Sequence, residues 1–388
     1  MKTNKFLLGL LAVATLFVVG CAADDTADVT INQGGGSNPI NPSDLVIGGT
    51  LSENLTLSTG NEYNLTSGLI VPEGITLTIE PGVIVRANTS SDVYVAIQQG
   101  GVINAEGTSS NPIVFTSNSA TPNPGDWGGL IILGRAPINS VVGGDATSTS
   151  EIGGLPYGGS IADDDSGIIR YVRIEYSGGA ADAASENNGF SFYGVGSGTT
   201  IDFIQAFEGA DDGVEFFGGT VNASHISVVG AQDDSVDWTE GFTGTLTDVY
   251  IEHRQSHDKG IEGDGFNTDI GNNSNPVFWS APTINNLTLN GLGSSNGNEA
   301  IRLRAGTRAI FNNVFIEGFE EGYDLDDEET GNGFSAGDTI VTDITFDDIV
   351  LTLKNDTNVA FDADDFFSGI GNGTGADYDS WNSGWTRN

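Results

Sequence analysis

Basic residues are scarce in this chain. Thirteen Lys and Arg face fifty-three Asp and Glu over 388 residues, a formal net charge of −40. That balance repels phosphate backbones and anionic lipid surfaces, and so excludes nucleic-acid binding while favouring divalent cations. Solubility in a salty medium is the plainer explanation for much of it. Cysteine is scarcer still: with Cys21 alone, no intrachain disulfide can form. The one long apolar run, Phe6 to Val19, is short for a membrane span. Between residues 188 and 325 no stretch carries the 3.6-residue periodicity of an amphipathic helix.

The start of the chain reads as an export address. Lys2 and Lys5 precede the apolar run, and small residues follow it, as in a secretory signal. Val18-Val19-Gly20-Cys21 looks like a bacterial lipobox, with a lipidated Cys21 first in the mature chain; an ordinary signal with an incidental cysteine is the alternative. Loss of residues 1–20 removes two bases and no acid, leaving eleven basic against fifty-three acidic residues, or −42. Asp24-Asp25 resembles the acidic tag that sends some lipoproteins to the outer face of the outer membrane. An outer membrane lipoprotein exposed on the cell surface is therefore expected. Residues 21–45, rich in Thr, Asp, Asn and Gly, are predicted to be a disordered tether.

What is abundant is glycine, 56 residues, as a fold of many tight turns needs. A short phrase recurs: an acidic or amide residue, a small residue, then apolar–any–apolar. It begins at Asn188, Asp212, Asp234, Glu299 and Glu321, and returns more loosely at Lys259. Its first apolar positions, 190, 214, 236, 261, 301 and 323, are spaced by 24, 22, 25, 40 and 22. A period near 22 with one long insertion marks a solenoid. A second phrase runs out of phase, in apolar pairs such as Ile204/Ala206, Ile226/Val228 and Val249/Ile251. Alternation at period 2 means strand. Short strands returning in the same sense without crossover helices wind as a parallel β-helix, so the chain is predicted to be all-β. The residues before the second phrase are Tyr171, Phe203, His225, Asp248, Asn286, Asn313 and Asp343. Four are Asx, which tolerates left-handed backbone, so stacked turns are expected there, with His225 among them.

Several segments resemble the opening coils of secreted right-handed parallel β-helix proteins of the pectin-lyase-like superfamily. They are residues 71–83, Gly101 to Thr108, Asn111 to Thr116 and Gly125 to Gly134. With the coils at 210–242, the resemblance covers residues 46–388 and implies a right-handed solenoid over that domain. It implies no single activity. The polygalacturonase-like pattern is followed only in part: Asp-Asp pairs are present, but Gly-His-Gly is absent, and Arg302-Leu303-Arg304 replaces Arg-any-Lys.

Insertions leave the solenoid near 136–166 and 263–282, and a third excursion is expected at Glu328 to Asp338. After Val350 the repeat is expected to fade into a capping coil, Leu351 to Phe367. A loose tail follows, whose Trp381 and Trp385 fold back to close the end.

Alternation turns the middle residue of the first phrase outward, so Ser191, Glu215, Asp237, Glu262, Arg302 and Asp324 should form one column with neighbours about 4.8 Å apart. Stacked carboxylates raise a pKa or demand a cation. Catalytic candidates are Asp212, Asp234, Asp237, Glu262 and Arg302. Binding candidates are Glu215, Asp237, Glu262, Arg254, Lys259, Arg302, Arg304, Phe217 and Trp279, the two aromatics as exposed stacking surfaces for sugar rings. Asp211, Asp212, Asp233 and Asp234 are candidate ligands for Ca²⁺. A solvated acidic face and core aromatics are the bland alternatives. His253 and His257 have metal-binding spacing only on a helix; on a strand leading into a loop they should not meet, though a loop site with Asp258 or Asp264 stays open. The function expected is binding of polysaccharide, or of a partner in a surface glycan-uptake or adhesion system. The alternatives are a polysaccharide lyase or glycoside hydrolase on coils 210–308, and a structural spacer.

Overall fold

Each coil of the chain buries the apolar half of three short strands. The computed structural model describes residues 45–140, 147–181, 185–255, 257–268 and 276–388. The expected signal segment, Cys21 and all but the last residue of the tether lie outside them. Coil after coil, the strands of the solenoid pair in parallel with their counterparts one coil on, and only Ser148–Thr149 and Pro156–Tyr157 of the first insertion, among the described strands, pair antiparallel. The solenoid is a three-faced prism. The third face carries Val95–Ile97, Leu130–Leu133, Phe190–Tyr193, Val214–Phe217, Val236–Thr239, Ile261–Asp264 and Glu299–Arg304. The far ends of Ile310–Asp326 and Ile340–Asp356 extend it.

The first and second faces are halves of one strand bent at a single residue. The bends fall at Tyr171, Phe203, His225, Asp248, Asn286, Asn313 and Asp343, with φ from 50° to 61°. These are the seven positions expected from the sequence. Asparagine and aspartate adopt left-handed backbone at low cost; the three aromatic residues there are held by stacking, Tyr171 on Phe203 at 4.3 Å and Phe203 on His225 at 3.9 Å. Further along, Asn286 donates to Asp248 and Asn313 to Asn286, at 2.9 and 2.8 Å.

Inside, Phe192, Phe216 and Phe242 stack at 5.2 and 4.4 Å. The far end is closed by Phe334, Phe361, Phe366 and Phe367. The expected excursion at 328 is present and is a helix, Glu328–Ala336. Asp327 caps it by accepting the Thr330 amide, and Glu328 and Glu329 sit at its positive end. Gly331 and Gly333 permit it because a Cβ at either would collide with Thr357 or Arg308. Three other expectations are corrected. The repeat does not fade at Val350: residues 349–356 still pair with 319–326. The tail is not loose, and its tryptophans cover a side wall rather than the end. It runs back along the bends, with Thr374 and Gly375 amides on Asn313, Tyr378 stacked on Tyr250 at 3.7 Å, and Arg387 on Glu175. Trp385 is fully buried against Tyr171 and Phe203, and its carbonyl accepts from Arg173.

Trp385→Ala should therefore lower the unfolding free energy by ~3–5 kcal/mol in denaturant titration, as for other buried Trp truncations. A loss under about 1 kcal/mol would mean that the tail does not clamp the wall.

Candidate functional site

The outward column of the third face is in register. Ser191 pairs with Glu215, Glu215 with Asp237, Asp237 with Glu262, Glu262 with Arg302, Arg302 with Asp324 and Asp324 with Lys354. Toward the start of the solenoid the same column is apolar, through Ile131 and Ala96 to Ile70. The first insertion folds over that apolar half. Its Ile138, Ile152 and Tyr157 pack against Ile131, Leu133, Tyr193 and Phe217. Tyr157 donates to Glu240 at 2.5 Å. Asn139 donates to the carbonyls of Gly265 and Phe278, tying the first insertion to the second.

The covering changes the chemistry of the acidic half. Asp211, Asp212, Asp234 and Glu262 are buried, and Glu215 and Asp237 are partly so. This is not the solvated face of the simpler reading. Burial, then the neighbouring Asp237 and Glu151, pushes the Glu215 carboxyl well above the usual range. Burial, then Glu262, does the same to Asp237 and to Asp234. Burial and Asp211 raise Asp212, and burial with Glu186 raises Asp211 to about 8.

Within this group the roles differ. Asp212 and Asp234 each accept an amide of the next coil, Asp234 at 2.9 Å and Lys259 at 2.7 Å, so both brace a corner. Glu215 accepts from Asn188 at 2.6 Å, a residue that sequence reasoning quoted as the start of a phrase but did not assign to the site. Lys259 lies 2.5 Å from Asp258, 3.1 Å from Glu262 and 3.7 Å from Asp234. Arg304 meets Glu262 at 2.5 Å and Asp264 at 2.6 Å. Arg302 grips Asp326 through two nitrogens at 2.9 and 2.5 Å. Among the described residues Asp237 makes no ion pair, and its Oδ1 is buried without a hydrogen bond. Ligand atoms of Asp212, Glu215 and Asp237 lie within 4.8 Å of one another, as do those of Asp234, Asp237 and Glu262, and of Glu186, Asp211 and Asp233. Oxygen-only sets of this kind suit a hard divalent ion such as Ca²⁺.

Two binding candidates are elsewhere. Phe217 is 2 % exposed, not a sugar platform, because the flap lies on it and Tyr193 stacks on it at 3.9 Å. Arg254 sits at the preceding corner, paired with Glu208 at 2.8 Å and resting over Phe207. Trp279, expected to be exposed, is half-buried. It leans on Arg308 and Phe266 and lines a cavity of about 590 Å³ with Arg302, Arg304, Asp326 and Glu329. Asp326 and Lys354 were missed. The Leu351/Leu353 alternation was the available signal for Lys354. His253 and His257, not expected to meet, stack at 4.4 Å.

The prism, its bends and its column identify a solenoid class, and comparison with known proteins gives the family. The chain belongs to the pectate-lyase-like β-helix domain family, whose model matches residues 49–386, and its fold is the right-handed parallel β-helix. No curated protein matches it. Among solved structures, a family 28 exopolygalacturonase of Yersinia enterocolitica is 10% identical over 79% of this chain and 74% of its own. Its TM-score of 0.16 is too low to carry an argument. The family places the fold; the activity has to be argued from the site.

The raised carboxyls set a pH dependence. Their folded pKa values exceed the unfolded value near 4, so between the two the folded chain binds more protons, and stability falls as pH rises. Without divalent cations the melting temperature should drop between pH 5 and pH 9. A flat profile, or a rise, would mean that the carboxylates are solvated.

Proposed function

We propose that the chain is a lipid-anchored protein of the bacterial outer surface that holds a neutral glycan in the cavity beside Trp279, with a Ca²⁺-type ion in the carboxylate wall. The observation that carries this reading is the cavity's make-up: an aromatic ring wall from Phe266 and Trp279 facing fixed arginine–carboxylate pairs. Sugar rings stack on aromatics, and paired arginine and carboxylate offer donors and acceptors to hydroxyls.

The charge state favours a neutral ligand. Eleven of the thirteen basic residues lie among the described residues, and each is in an ion pair. A uronate would have to displace a carboxylate already bound. Neutral glycans should bind, uronate polymers should bind more weakly, and Trp279→Ala should cut affinity by about tenfold, the scale of one stacking contact. Calorimetry with both glycan classes checks this; equal or tighter uronate binding overturns it.

The runner-up is a polysaccharide lyase or glycoside hydrolase. Its support is the pair of functions a carboxyl with a raised pKa can serve, general acid or shared-proton partner. New reducing ends or unsaturated sugars on incubation would favour it over binding. A surface partner protein or a spacer role would show as pull-down or self-association with no glycan response.

For the cation, Asp237 belongs to two of the three-carboxylate groups. Ca²⁺ should raise the melting temperature of the intact chain, and Asp237→Asn should lose most of that rise. An unchanged melting temperature with Ca²⁺ and with chelator would remove the ion from the reading.

A further inference from the structure

One corner away from the carboxylate column lies a group that the glycan site does not use. His253 follows the strand Thr245–Glu252 and is 2 % exposed. Neither of its ring nitrogens makes a hydrogen bond of normal geometry, although the Lys259 backbone is close enough to favour a proton on the ring. A buried imidazole with unsatisfied nitrogens is unfavourable unless something else occupies them. One face of the ring lies on His257 at 4.4 Å and 24°, and Phe319 approaches it edge-on at 5.1 Å. Burial, followed by the neighbouring His257, holds the His253 pKa down at about 3. A neutral imidazole keeps one ring nitrogen bare, and that nitrogen is the one a metal takes.

His253 also lines a cavity of about 700 Å³, whose polar walls are Glu208, Glu252, Arg254, Gln232 and Gln255. Nδ1 of His257 lies 3.3 Å from the Asp258 carbonyl. A carbonyl only accepts, so in the neutral ring that nitrogen carries the proton and Nε2 is the bare one. A backbone carbonyl on the far nitrogen is the usual way a ligating histidine is oriented.

We propose that His253 and His257 together bind one late first-row divalent ion of the Zn²⁺, Ni²⁺ and Cu²⁺ class at the edge of this cavity. Imidazole selects such metals, whereas the carboxylate wall, with oxygen ligands only, selects Ca²⁺. The ring centroids lie 4.4 Å apart, and such ions take each imidazole nitrogen at about 2.1 Å. Water fills the remaining positions. The third histidine, His225, is held between Asp202 and the bend ladder and takes no part.

The test is a Cu²⁺ titration of the full chain in excess Ca²⁺, which saturates the oxygen sites. Calorimetry should give one site per chain, and electron paramagnetic resonance should show coupling to two imidazole nitrogens. His253→Gln and His257→Gln should each weaken binding by at least about tenfold. Asp237→Asn, which alters only the carboxylate wall, should leave it unchanged. His257 is only half-buried, so His257→Gln spares the core even if His253→Gln does not fold, and circular dichroism of each variant checks this. Absence of a tight site, a spectrum without nitrogen coupling, or equal binding by His257→Gln would overturn the proposal.

Discussion

The structure depends on one constraint: each strand of the third face lies in register on the strand of the next coil. Residues 22 to 40 positions apart in the chain thereby become direct neighbours in a column. In solution such carboxylates would never meet. In the column they are held together by the backbone hydrogen bonds of whole coils, and by the buried apolar rows of Val214, Val236 and Ile261 on one side and Phe216 and Trp238 on the other. Repulsion among a few acids is small against the burial of that many core side chains.

The column has two halves with different surroundings. Its apolar half is an adhesive surface for the first insertion, whose Ile138, Ile152 and Tyr157 complete a small second core. Once docked, the same insertion removes water from the start of the acidic half. Desolvation, more than mutual repulsion, is then the first cause of every raised carboxyl in the wall. Beyond Glu262 the column alternates in charge, Arg302, Asp324, Lys354, and each member pairs locally. Within the column, the carboxyls that make no ion pair among the described residues are therefore Glu215 and Asp237, on the coils before Glu262.

Much of this was legible in the strand patterns. The seven bend positions, the members of the column and its order followed from period-2 alternation and a repeat near 22. Misreadings came where a residue's neighbours lie in other segments. Phe217 alternates outward, as expected, yet an insertion sixty residues earlier in the chain covers it. Arg254 is close in number to Lys259 but turns with the preceding corner toward Glu208. The helix Glu328–Ala336 has two glycines and no apolar stripe. Its cap and its close seat against Arg308 and Thr357 decide its conformation, and only the seat is invisible in one dimension.

By itself the sequence determined the coil, because strand alternation, left-handed bends and tight turns are local properties that repeat until they must stack. It also determined which carboxylates share a column, since the alternating phrase marks the outward position of each coil whatever the coil's length. Tertiary structure alone decided whether that column is wet or dry, where the tail lies, and that His253 and His257 touch. Those outcomes depend on how the insertions and the final twenty residues lie across the prism, and such long-range packing leaves no periodic trace in the chain.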